Sequence, residues 1–247
     1  MDNGGRLERA VSVAGDLLLG AACPGCGRAA VGLCPGCRAL LAEPEPYATR
    51  PEPCPPGFPP TVAGGPYDEL LRNLISAHKE RQAWLLTPAL GRRLARSVAP
   101  LADLAGPGPV RLVPVPSSTA AVRSRGRDAT GAIARAAAAR LNRERRGHPI
   151  RVVRLLRPVR RLADQSELTE TERHANLAGA YAVRRAGSAD AGARLIVVDD
   201  LVTTGSSLTE AARALSAAGM DIVGAAVIAA TVRHSGPRTA AGRLSDR

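Results

Sequence analysis

Two adjacent carboxylates, Asp199 and Asp200, close the apolar run Leu195-Ile196-Val197-Val198. They cannot bind phosphate, but they can accept hydrogen bonds from a vicinal diol or hold Mg²⁺ through its waters. A small turn follows: Thr203, Thr204, Gly205, Ser206 and Ser207. Its hydroxyls, a permissive glycine and the N-terminus of a following helix all aim donors and partial positive charge at one place, which suits phosphate. A ligand carrying both a phosphate and vicinal hydroxyls satisfies both halves. The plainer reading is a strand-end acidic pair before an ordinary capped helix. No lysine lies inside the turn, which excludes the lysine-containing nucleotide P-loop, and the glycine spacing of a dinucleotide fingerprint is missing.

A second group stands near the front. Cys23-Pro24-Gly25-Cys26 is followed seven residues later by Cys34-Pro35-Gly36-Cys37. Each tight turn lets two thiolates meet one ion, and four soft ligands suit a closed tetrahedral Zn²⁺ site. Such a site has no open position, so its metal holds a small knuckle together and does no chemistry. Redox-active pairs and two disulfides are the alternatives. They lack a thioredoxin-like context and any sign of secretion, respectively. Cys54, in a Pro-rich stretch, reads as a bystander.

Basic residues supply the complementary charge. Leu112 to Val115 is a short apolar run that breaks at Pro116, and Ser117, Ser118 and Thr119 then offer donors. Arg123, Arg125 and Arg127 follow at alternate positions, and guanidinium forks match phosphate oxygens. An ordinary solvated basic loop is the competing reading. Lys79 is the only lysine in a chain with 34 basic residues. A lone compact ammonium amid so much arginine hints that a point charge is wanted there. The polar stretch Asp164 to Asn176 reads as a lid that would exclude water during reaction, or else as a solvated helix start. His78 and His174 belong to no ligand cluster and read as polar or partly exposed.

These groups need a scaffold. Leu195–Val198 reads as a buried strand, and a helix runs from a Ser206 or Ser207 cap to about Ala218. Glu210 falls in the capping-box position relative to Ser207. Gly219 stops that helix, and Asp221–Ala229 forms the next strand. Further helices are expected at Tyr67–Arg81, Pro88–Val98 and Thr130–Leu141, and strands at Val110–Val115 and Ile150–Leu156, with a short segment at Tyr181–Val183. Val11 to Ala22 reads as a lead-in helix. Alternating strands and helices predict an α/β fold, a mainly parallel sheet flanked by helices with a small N-terminal zinc knuckle. The expected organisation is residues 1–45 for lead-in helix and knuckle, 46–60 for a Pro-rich linker, 61–234 for the main domain and 235–247 for a frayed tail.

Val197 to Ser207 looks like the signature of the type I phosphoribosyltransferases, which bind 5-phosphoribosyl-1-pyrophosphate. Joined to the four-cysteine knuckle, the chain resembles the ComF family of phosphoribosyltransferase-like competence proteins from about Ala22 to Ala230. Tyr67 to Arg72 leading to Lys79, Leu112 to Pro116 before Arg123–Arg127, and Gln165 to Thr169 before Arg173–Leu177 add to the resemblance. The resemblance implies that Asp199 and Asp200 hold the ribose hydroxyls, and that Thr203, Thr204, Gly205, Ser206 and Ser207 hold the 5'-phosphate. It implies that Val115, Pro116, Ser117, Ser118 and Arg123 hold the pyrophosphate with Mg²⁺. Asp199, Asp200, Lys79 and Arg125 are its candidate catalytic residues. The acceptor pocket is expected near Ala229 to His234. The family continues with an aromatic and an Asn where this chain has Arg127 and Asp128. That puts a packing residue and an amide donor in doubt.

Composition sets outer bounds. At 247 residues the chain buries one core plus a small appendage, built from small aliphatics because it holds one Trp, three Tyr and one Phe. No apolar run reaches membrane-spanning length and no leader pattern is evident, so a cytoplasmic protein without a membrane span is expected. A formal net charge of +12 attracts phosphate-rich partners. Scarce aromatics leave single-stranded DNA binding permitted and not established. Two functions therefore stand: a transferase displacing pyrophosphate with a nitrogenous acceptor, and a DNA-uptake accessory that meets single-stranded DNA or a helicase partner. Homo-oligomerisation stays open.

Overall fold

The computed structural model describes residues 22–116, 128–144, 149–159, 179–184 and 192–231. A six-stranded sheet carries the fold. In chain order its strands are β1 (Tyr47–Thr49), β2 (Thr61–Ala63), β3 (Val110–Pro114), β4 (Arg151–Val152), β7 (Arg194–Val202) and β8 (Ile222–Ala230), arranged β1-β2-β8-β7-β3-β4. Only β1 runs antiparallel to its neighbour. A separate antiparallel pair joins β5 (Leu156–Pro158) to β6 (Tyr181–Val183). The helices are α1 (Pro35–Ala42), α2 (Glu69–Glu80), α3 (Thr87–Leu104), α4 (Ala129–Glu144) and α5 (Ser206–Ala217). Among the described residues, no helix is long and apolar enough to cross a membrane.

The apolar runs of β3, β7 and β8 are continuous because both sheet faces are covered. Leu112, Ile196, Val198, Ala226 and Ile228 face a core shared with α2, α3 and α4. Val113, Leu195, Val197, Ala225 and Val227 face the other core, with α5 and the β5–β6 pair. The period of two along each strand thus divides one run between two cores. Gly91 lets α3 and α4 close: a Cβ there would stand 2.5 Å from the Ala136 Cβ.

Helix α2 starts where Asp68 accepts the Leu71 N–H at 2.8 Å. It buries Leu71, Leu74, Ile75 and His78 on one stripe. His78, expected to be polar or partly exposed, is fully buried. Its Nε2 pairs with Thr87 Oγ1 at 2.9 Å, and its ring meets Trp84 edge-on at 5.0 Å.

Two further expectations change. Ile150–Leu156 is not one strand: Arg151–Val152 extends the main sheet, whereas Leu156–Pro158 turns away to pair with β6. Residues 46–60, expected as a linker, contribute β1 to the sheet edge and lay Pro51 and Phe58 against Gly205. The prolines there shape a covering segment that packs on the main sheet. The departure at Asp128 has a local cause. Its carboxylate accepts the Gly131 N–H at 2.9 Å and pairs with Arg154 at 3.0 Å, so it starts α4, and a side chain at 131 would collide with it. The expected lead-in helix and tail lie outside the described residues, apart from the lead-in's last residue, Ala22, and the tail boundary remains an expectation.

Candidate active site

Strand β7 does not stop at Val198. It runs through Asp199 and Asp200 to Val202, so the acidic pair sits inside the last turn of pairing at the C-terminal edge of the sheet. Ligands of open parallel sheets bind at this edge. Strand alternation starts the two side chains on opposite faces, but their carboxyls come within hydrogen-bond reach of each other. Asp200 is 5 % exposed and Asp199 is half-buried. The Asp200 N–H donates to Asp199 Oδ1 at 2.9 Å.

Lys79, at the C-terminal end of α2, reaches Asp200 with Nζ 2.6 Å from Oδ2. Burial disfavours the Asp200 charge, but the Lys79 ammonium outweighs it and holds that carboxyl below its ordinary value. Burial and the Asp200 charge push the Asp199 carboxyl well above its ordinary value. Lys79 thus favours the charged form of Asp200, whereas burial and the adjacent charge disfavour that of Asp199.

The turn after β7 carries Thr203, Thr204 and Gly205 into α5. Gly205 takes φ 78° and occupies the N-cap itself, with no side-chain cap. Ser206 and Ser207, expected as caps, are instead the first two helical residues. Their N–H groups are therefore among the donors that a helix cannot satisfy internally. Thr204 Oγ1 and Ser206 Oγ lie 3.0 Å apart. A Cβ on Gly205 would come within 2.8 Å of Phe58 and Pro51, so the turn is both left-handed and tightly covered.

Glu210 does not form the expected capping box, because the cap position belongs to Gly205. Its buried carboxylate accepts the Tyr181 N–H at 3.1 Å and pairs with Arg213 through Nε at 2.7 Å. Burial would raise its carboxyl, and Arg213 with the Tyr181 and Gly179 N–H groups brings it below the ordinary value. Glu210 thereby ties β6 to α5. The Tyr181 phenol, pushed up by burial and by Asp199, is hydrogen-bonded to Ser207. Tyr181, Phe58 and Pro51 are site neighbours that the sequence signalled only as apolar residues.

Val115 and Pro116 leave β3 beside the acids: the Val115 N–H donates to Val198 O at 2.9 Å. Ser117, Ser118, Arg123 and Arg125 lie outside the described residues, as does Asp164 to Asn176. A polar pocket of about 150 Å³ opens between Thr203, Thr231 and the segment holding Tyr47, Arg50 and Glu52.

The four cysteines converge. The sulfur atoms of Cys23, Cys26, Cys34 and Cys37 lie within 4.8 Å of one another, with Cys26 and Cys34 at 3.6 Å. Thiolates about 2.3 Å from one tetrahedral ion stand roughly 3.8 Å apart, so this group fits a metal. None of the four is in a disulfide. Burial raises Cys23, but the N–H groups of Cys34, Cys26 and Gly25 bring it down to about 6, the direction a ligand thiolate needs. Burial and the neighbouring sulfurs push Cys37 up. Cys54 is exposed and stands outside the group.

A mostly parallel sheet with an acidic pair at its C-terminal edge, a left-handed turn into a helix and a cysteine cluster in front make an α/β protein of phosphoribosyltransferase-like fold. Residues 128–240 match the family model described as the phosphoribosyl transferase domain. That span holds the acids and the turn, while Lys79 and the cysteines lie before it. No curated protein matches the chain.

Proposed function

We propose that the protein binds 5-phosphoribosyl-1-pyrophosphate with Mg²⁺ and transfers the phosphoribosyl group to a nitrogenous acceptor, releasing pyrophosphate. The observation that carries this reading is the juxtaposition of Asp199 and Asp200 with the Thr203–Ser207 turn at one sheet edge. The acids would accept the ribose hydroxyls. The turn's backbone donors and hydroxyls would hold the 5'-phosphate. Mg²⁺, when bound, neutralises charge on the leaving pyrophosphate. Val115, Pro116, Ser117, Ser118 and Arg123 would line the pyrophosphate side, with Arg125 stabilising developing negative charge. Lys79 would keep Asp200 ionised and aimed. The pocket at Thr231 supports an acceptor placed beyond β8.

The four cysteines would hold Zn²⁺, since an all-thiolate closed set suits that ion. Together with the acidic motif they support membership of the ComF family, and with it a cytoplasmic setting. The alternative, an accessory of DNA uptake that binds single-stranded DNA without turnover, draws on the net charge of +12.

Titration of the purified protein with the sugar pyrophosphate and Mg²⁺ tests the first reading, with Asp199→Ala/Asp200→Ala as control. Binding by wild type, loss in the double variant and pyrophosphate release with one of a panel of bases are expected. No binding by wild type would sink the reading. Binding without release across the panel would favour the accessory.

A further inference from the structure

The knuckle and the acidic pair are joined by one helix. The Cys23–Cys26 turn rests directly on the start of α2: a Cβ on Gly25 would stand 2.6 Å from Leu70 Cδ1 and 2.9 Å from Cys37 Sγ. Leu71 and Leu74 share a core with Cys23, Leu33, Cys34 and Cys37. At the other end, Lys79 meets Asp200 at 2.6 Å. Between them lies a helix of 12 residues, roughly 18 Å long. The neighbouring His78 is held by Thr87 and Trp84, so the backbone that carries Lys79 is set by the packing of this helix. The knuckle is held to the fold a second way. Buried Arg93 of α3 donates to Leu41 O at 2.6 Å and Pro44 O at 3.2 Å, and Arg96 donates to Ala42 O.

We propose that the four-cysteine knuckle is a positioning element for the acidic pair: metal in the knuckle fixes α2, and α2 holds Lys79 on Asp200. Loss of the metal frees four sulfurs that share one buried cluster, loosens the turn under Leu70 and lets α2 shift along its axis. A shift of about one ångström weakens a charge pair whose geometry depends on contact distance. The knuckle thereby sets affinity for an anionic sugar ligand at a site it does not touch. By linkage, occupation of the acidic site must tighten the metal by the same factor.

Lys79 is the chain's only lysine, so its amine can be read directly. Reductive methylation of the full-length protein, with the Lys79 peptide followed by mass spectrometry, reports the ion pair without any ligand. Expected are a several-fold faster modification after zinc removal by a chelator, and the same for zinc-loaded Leu70→Ala, which retains all four cysteines. Equal rates in zinc-loaded wild type and zinc-loaded Leu70→Ala would overturn the proposal, even if stripped protein unfolds. The ligand arm rests on the proposed function. The sugar pyrophosphate with Mg²⁺ should bind zinc-loaded protein at least ten-fold more tightly than Leu70→Ala and should slow zinc transfer to a chelator. If zinc-loaded wild type binds no sugar pyrophosphate, the proposed function fails while the lysine rates still decide the coupling.

Discussion

Lys79→Ala removes the cation that meets buried Asp200 at the sheet edge, and its cost can be worked from the geometry. Two unit charges 2.6 Å apart attract by about 6 kcal/mol at an effective dielectric near 20, before desolvation is counted. Losing one partner of a fully buried pair costs about 3–5 kcal/mol, because the other charge stays buried and unpaired. The Lys79 side chain keeps 27 % exposure and Asp200 only 7 %, so the lower end, about 3 kcal/mol, is expected. Urea unfolding of wild type, Lys79→Ala, Asp200→Asn and the double variant measures it as a cycle. A coupling of about 2 kcal/mol should remain after the single effects are subtracted. The pH sign follows from Asp200. Lys79 holds that carboxyl below its unfolded value despite burial, so the pair's stabilisation is complete above the ordinary carboxylate range. It fades as the pH falls through the lowered value, and the penalty of Lys79→Ala should fade with it. Single effects that add to within about 0.5 kcal/mol at neutral pH would refute the reasoning.

Other outcomes follow from neighbouring residues. Gly205→Ala should cost at least about 2 kcal/mol and weaken sugar phosphate binding, since it adds left-handed strain to a collision with Phe58 and Pro51. Thermal unfolding together with titration checks both. Asp199→Asn should raise stability above the ordinary carboxylate range, read as a higher Tm in thermal unfolding. Burial and Asp200 raise the native Asp199 carboxyl, so ionising it costs stability as pH rises through that value, and the gain should vanish in acid. Glu210→Ala should cost about 2 kcal/mol and detach β6 from α5, read as faster amide exchange at Tyr181.

Contiguous chemistry was the most legible part of the chain. Asp199 to Ser207 is one stretch, and its residue types are themselves the chemistry. The buried strands and the helices around them could be read from period and apolar runs. Lys79 is separated from Asp200 by more than a hundred positions; its solitude among arginines and its place in the resembled motif marked it, but nothing local tied it to Asp200. Contacts made by ordinary apolar residues left no trace: nothing about Phe58 or Pro51 says that they cover Gly205. The Glu210 reading failed for a positional reason. A capping box depends on which residue caps, and Gly205 took that place one or two positions early. Proline density misled at 46–60, because prolines at a sheet edge and in a covering segment look like those of a linker. The short strand β1 is too brief for periodicity to reveal.

The central claim is a grip with two halves, acids for a ribose diol and a turn for a 5'-phosphate. Competition calorimetry with Mg²⁺ present separates them through four ligands: phosphoribosyl pyrophosphate, ribose 5-phosphate, 2-deoxyribose 5-phosphate and free ribose. The account predicts affinity falling in that order, with loss of the 2-hydroxyl costing about ten-fold or more, the scale of one hydrogen bond to a charged group. In Asp199→Asn/Asp200→Asn the difference between ribose 5-phosphate and its 2-deoxy form should disappear. Equal binding of those two by the wild-type protein, or no binding of any phosphorylated sugar, would contradict it.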